Sequence, residues 1–138
     1  MNETMNDIME NTFSYFDTGC KNPENFYHAF VLELIVDLKS MYDIHSNRES
    51  GLGRYDVCLS PKNTSDRGIV IEFKTMKSKN EKNIKETCIN ALRQIKNCKY
   101  TNELIERGVS KSDIYIYGFA FHGKKSLIYG GMQEEVHV

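Results

Sequence analysis

Residues 51–74 read GLGRYDVCLSPKNTSDRGIVIEFK. The runs RYDVCLS and GIVIEFK have strand composition, and the polar segment between them carries the Pro, Asn, Ser and Asp of a turn. Side chains alternate along a strand. Tyr55, Val57 and Leu59 therefore share one face of the first run, and Arg54, Asp56 and Cys58 share the other. In the second run Ile69, Ile71 and Phe73 lie opposite in sense to Val70, Glu72 and Lys74. A hairpin closed by residues 61–67 pairs position 60 with 68, which sets Asp56 against Glu72 and Arg54 against Lys74. Directly opposed residues have Cβ atoms about 5 Å apart. Two such carboxylates repel unless one is protonated or a cation lies between them. A divalent metal answers that repulsion, because hard cations such as Mg²⁺ favour carboxylate oxygens.

Outward from the hairpin, Met5, Ile8, Met9, Phe13 and Phe16 predict an amphipathic helix over residues 3–16. Asn22-Pro23-Glu24 is a helix start, and the helix should run to about Met41. Its apolar residues cover most of its circumference, so it should be buried against a sheet, with Glu24, His28, Glu33 and Asp37 as polar exceptions. Residues 42–49 read as a strand, and Gly51 and Gly53 as a tight turn or a close backbone approach, with Arg48 and Glu49 as an ion pair fixing it. A helix is predicted over 78–99, with Ile84, Cys88, Ile89, Ala91, Leu92 and Ile95 inward and lysines outward. A short helix over 101–107 should end at Gly108. Residues 113–121 and 125–129 read as strands around a turn at 122–124, and 130–138 give no signal. Two hairpins joined by a crossover helix predict an α/β domain, one mixed central sheet flanked by helices over residues 1–138.

Composition sets the outer bounds. A chain of 138 residues, 40% hydrophobic and 27% charged, suits one globular domain. No apolar run reaches the ~18 residues of a membrane span, and the acidic start MNETMNDIMENTF is no secretory signal. Cys20, Cys58, Cys88 and Cys98 have no CxxC spacing, so reduced thiols in a cytoplasmic protein are expected and zinc is not. Net charge is −1, but it is unevenly spread. Residues 1–37 carry seven acids and one base, whereas residues 74–99 carry eight bases and two acids. The basic stretch is either a solvated helix face or a surface that holds a phosphate backbone.

SYFDT (14–18), ENFYHAF (24–30), SNRESGLGRYDV (46–57), IVIEFK (69–74), ALRQIKNCKY (91–100) and YGFAFHGK (117–124) form an ordered set. The set resembles the PD-(D/E)XK nuclease superfamily, and more closely the nuclease domain at the C-terminus of bacterial AAA-ATPase-like proteins. No GxxxxGK[ST] loop is present, so an ATPase-like module would be a separate partner or a fused segment.

The resemblance implies a restriction-endonuclease-like three-layer core and a Mg²⁺- or Mn²⁺-dependent nuclease acting on DNA. It implies Asp56, Glu72 and the Phe73 carbonyl as metal ligands, Lys74 as the residue that positions or deprotonates the attacking water, and Gln94 as the motif residue of the following helix. His28 joins the metal set, with Glu33 as its alternative and Glu24 as a helper. Arg54, Lys77, Lys96 and Tyr100 are the expected nucleic-acid contacts. In relatives with a Q-x-x-x-Y motif the Tyr shares a face with the Gln; here Cys98 holds that place and Tyr100 falls two positions on. A homodimer and a catalytically silent module of the same fold, binding nucleic acid or a protein, remain open at this point.

Overall fold

In the computed structural model, residues 33, 36–49, 54–76, 81–97, 100–122 and 125–137 are described. The expected helix over 3–16, most of that over 22–41 and the Gly51–Gly53 turn lie outside them.

The strands are β1 (Tyr42–Glu49), β2 (Arg54–Pro61), β3 (Gly68–Thr75), β4 (Ile114–His122) and β5 (Lys125–Met132), and the helices are α1 (Ile84–Asn97) and α2 (Tyr100–Glu106). The five strands form one sheet in the order β1-β2-β3-β4-β5. β3 and β4 are parallel, and the other neighbours are antiparallel. The mixed sheet is the one expected, with α1 and α2 as the crossover that a parallel pair needs.

The β2–β3 register is set by its turn. Asn63 Oδ1 accepts hydrogen bonds from the Ser65 amide at 3.1 Å and the Ser65 hydroxyl at 2.7 Å, and its carbonyl accepts from the Asp66 amide at 2.9 Å. Asn favours such local turns because its side chain substitutes for a backbone acceptor. With the loop fixed, Asp56 lies opposite Glu72 and Leu59 opposite Ile69, the pairing expected from the sequence.

The alternation separates two cores. Val57, Leu59, Ile69, Ile71, Phe73, Phe119 and Phe121 pack on one face with Leu38 and Tyr42, Leu38 belonging to the helical end at 36–38. Cys58, Val70, Ile114 and Ile116 pack on the other with Leu92 and Ile95 of α1 and Leu104 of α2. Asp56, Glu72 and Lys74 share the face of the second group by strand parity.

Two boundaries differ from expectation. α1 begins at Ile84 and not at 78. Asn83 caps it, its Oδ1 accepting from the Glu86 amide at 2.9 Å, while Glu86 Oε2 reaches back to the Lys82 amide at 2.6 Å. Such a cap satisfies the orphan donors of the first turn and fixes where the helix starts. β5 continues to Met132, past the expected end at 129. Gly130 makes that continuation possible, because a Cβ there would fall 2.0 Å from the Ile116 carbonyl oxygen.

Gly118 fixes the height of α1 above the sheet. It pairs with Glu72 across the parallel ladder. A Cβ built on it would lie 2.8 Å from the Cys88 carbonyl oxygen and 3.1 Å from Ala91 Cβ. Cys88 itself is fully buried, its Sγ 3.2 Å from the Leu127 carbonyl, and burial pushes its thiol up to about 11. A neutral thiol is a poor nucleophile.

Two outcomes are expected. Gly118→Ala forces backbone apart and should lower stability by about 1–3 kcal/mol, read by thermal or denaturant unfolding. Iodoacetamide at mild alkaline pH should leave Cys88 unmodified in the folded chain and alkylate it after unfolding, as peptide mapping would record.

Candidate active site

β2 and β3 bring Asp56 and Glu72 directly opposite each other. Their Cβ atoms are thus about 5 Å apart on one face. Asp56 is partly exposed, whereas Glu72 is only 3% exposed. The difference follows from position: β3 is the central strand under α1, while β2 lies one strand nearer the β1 edge. Burying a carboxylate is costly unless donors meet it.

Gln94 is such a donor. Its amide nitrogen gives hydrogen bonds to Glu72 Oε1 at 2.8 Å and Oε2 at 3.1 Å, the amide being turned so that nitrogen and not oxygen faces the acceptors. Lys74 follows one pleat along β3 on the same face and is partly exposed. Among the described residues its ammonium has no ion-pair or hydrogen-bond partner.

The helix contributes a second pair that sequence reasoning missed. Glu81 is 4% exposed, and Asn90 Nδ2 donates to its Oε2 at 2.7 Å. Asn90 precedes Gln94 by one turn, so both amides lie along one edge of α1. α1 runs antiparallel to β3, as a right-handed crossover between parallel strands requires. The Asn90–Glu81 pair therefore lies toward the C-terminal end of β3. The available signal was an Asn four positions before the motif Gln, with an acid just ahead of the helix cap.

Other expected site residues are placed differently. The Phe73 ring is fully buried in the opposite core, so only its main-chain oxygen could serve the carboxylates. Lys96 is not brought to them: two positions past Gln94 is about 200° around the helix. Its ammonium instead donates to the Val136 carbonyl. Lys85 and Arg93 are exposed, about 180° and 100° around the helix from Gln94. The lysine-rich face of α1 thus points away from the carboxylate pair. Tyr100 opens α2 and does not continue α1. The side chains of Arg54 and Tyr100, and residues His28 and Lys77, lie outside what is described, as do those of Arg48 and Glu49. Glu33 is described as helical and partly buried.

The donor set bears on the kind of cation it could take. Among the described residues no three His, Cys, Asp or Glu side chains converge as a metal cage. Two opposed carboxylates without a cage suit Mg²⁺, which retains waters and commonly uses one or two carboxylates together with substrate phosphate. The residues present therefore fit such a metal.

The sequence model of the PD-(D/E)XK nuclease superfamily matches residues 22–129. The chain belongs to that superfamily, and its mixed five-stranded sheet with helices is the restriction-endonuclease-like fold. No match was found among curated proteins or among solved structures.

Because Glu72 is almost wholly buried, removing its amide donor should be costly. Gln94→Leu is expected to reduce stability by about 1–3 kcal/mol, measured by urea unfolding. Asn90→Leu should behave similarly through Glu81.

Proposed function

We propose that this chain is a Mg²⁺- or Mn²⁺-dependent nuclease that hydrolyses phosphodiester bonds of DNA. The observation that carries the reading is the opposition of Asp56 and Glu72, with Gln94 fixing Glu72 and Lys74 next on the same face. Superfamily membership supports the reaction class.

Asp56, Glu72 and the Phe73 carbonyl would hold the metal. When bound, it would polarise a phosphoryl oxygen and lower the pKa of a water. Gln94 orients the Glu72 carboxylate by holding both its oxygens, so ligand geometry does not have to be organised when substrate arrives. Lys74 offers an ammonium that is not committed to a partner among the described residues. It orients the attacking water and stabilises the negative charge that grows on the phosphate during in-line displacement. The buried floor around Glu72 lowers the local dielectric and strengthens both effects.

The resemblance to the domain at the C-terminus of bacterial AAA-ATPase-like proteins supports an ATPase-like partner or fused module and a cytoplasmic setting. Among the described residues no helix is long and apolar enough to cross a membrane.

The test is incubation with single- and double-stranded DNA and RNA, with and without Mn²⁺. Metal-dependent cleavage is expected, and Asp56→Ala or Lys74→Ala should lower it by roughly 10²-fold or more while melting behaviour stays folded. Cleavage at the wild-type rate in either variant would remove the assignment. Binding without any cleavage under all metals would identify the silent module of the same fold.

A further inference from the structure

A second feature lies at the outer edge of β1. At the start of β1 and the end of β2 a cleft of about 400 Å³ is lined by Asp43, His45 and Arg107 on the carboxylate face, by Tyr42 and Ile44 on the opposite face, and by Lys39 and Lys62. Three permanent cations therefore face one acid. Arg107 is fixed in place: its guanidinium donates to the hydroxyl of buried Ser60 at 2.9 Å and lies 3.7 Å from Asp43 Oδ2. One anchored nitrogen leaves the remaining N–H groups of the guanidinium available to an anion. Lys39 and Lys62 are exposed, with no ion pair to described residues.

The register places this cleft relative to Asp56. Ser60 and Asp56 lie on the same face of β2, and four strand positions span about 13 Å. Between them Cys58 pairs with His45 of β1, and His45 is exposed and also lines the cleft. Among the described residues β1 is the outermost strand, so the route from Arg107 past His45 to Asp56 runs along that side of the sheet. The cleft therefore lies about 13 Å from the carboxylates along β2. Another cleft of similar size, beside Lys96, Lys111 and Glu134, lies across α1 from Gln94, and its Lys96 is engaged by the Val136 carbonyl.

We propose that the Lys39–Lys62–Arg107 cleft is a phosphate-backbone subsite, gripping the nucleic-acid strand about 13 Å from the scissile position along the β1 edge. The inference rests on the nuclease reading for its ligand class, and it replaces the lysine face of α1 as the surface that holds the strand. Contacts of this kind position the backbone without reading bases.

The test is fluorescence anisotropy with a labelled single-stranded DNA several times longer than that span and with a labelled dinucleotide too short to bridge it, without divalent metal and over a salt series. The wild-type chain should bind the long strand more tightly than the dinucleotide. Lys39→Ala/Lys62→Ala should weaken long-strand binding about tenfold and reduce its salt slope by roughly one to two, because each lysine releases about one counterion. The ratio of long- to short-strand affinity should fall with it. Both lysines are exposed, so the fold survives the substitutions. Wild-type affinity and slope in the double variant would overturn the proposal, as would equal fractional loss on both ligands. Since no metal is present, a chain that shows this binding pattern yet never cuts DNA would keep the subsite and lose the nuclease reading.

Discussion

A carboxylate on the central strand of a covered sheet is the constraint around which this molecule is arranged. Glu72 sits at 3% exposure, and burial of an ion without donors would cost more than most single interactions return. The carboxylate oxygens are met by the Gln94 amide. That contact requires α1 to lie close to β3, and the closeness depends on the neighbouring strand. Gly118, level with Glu72, leaves room for the Cys88 carbonyl where any side chain would collide. The strand that supplies the acid, the strand that lacks a side chain and the helix that supplies the amide form one unit.

The same logic repeats one helical turn away. Asn90 holds Glu81, which lies just before the Asn83 cap of α1. The helix start, its cap and its two amides are thereby tied to two buried acids. Amides suit this work better than cations. They donate to a carboxylate without neutralising it, so the acid retains the charge that a metal ligand needs. Lys74 can then remain uncommitted among the described residues and partly exposed, available to a phosphate.

Much of this was legible in the residues because the signals were local. Alternation in RYDVCLS and GIVIEFK sorts Asp56 and Glu72 onto one face, and the Asn63 turn fixes the register that opposes them. The mixed sheet follows from two hairpins and a crossover. What was misread depended on partners distant in sequence or on competing local signals. The helix was expected from 78 on its pattern of inward apolar residues and outward lysines, yet the Asn83–Glu86 cap decides its start. Residues 130–138 carry no clear signal, yet β5 runs to Met132, and a neighbouring carbonyl makes glycine necessary at position 130. Glu81 looked like one acid in a lysine-rich stretch, because burial depends on the tertiary fold. Lys96, expected as a nucleic-acid contact, also donates to the Val136 carbonyl, a partner forty positions away in sequence.

Charge placement shows why composition alone misleads about ligand binding. The bases of residues 74–99 are concentrated in sequence, yet Lys85 and Lys96 of α1 lie on the side of the helix opposite the edge that meets Glu72. A helix presents one edge to a sheet, and buried donors occupy that edge; the charged residues are left on the arcs facing solvent. In the proposed reading, positive charge acting on a strand laid over β2 and β3 comes from elements flanking the β1 side of the sheet. Lys39, Lys62 and Arg107 come from three separate places in the chain and converge there. Their field adds along the β1 edge although the molecule as a whole is nearly neutral at −1. In the proposed reading, such a local concentration on a near-neutral chain would draw a polyanion to that border and give its approach a direction that a uniformly basic surface would lack.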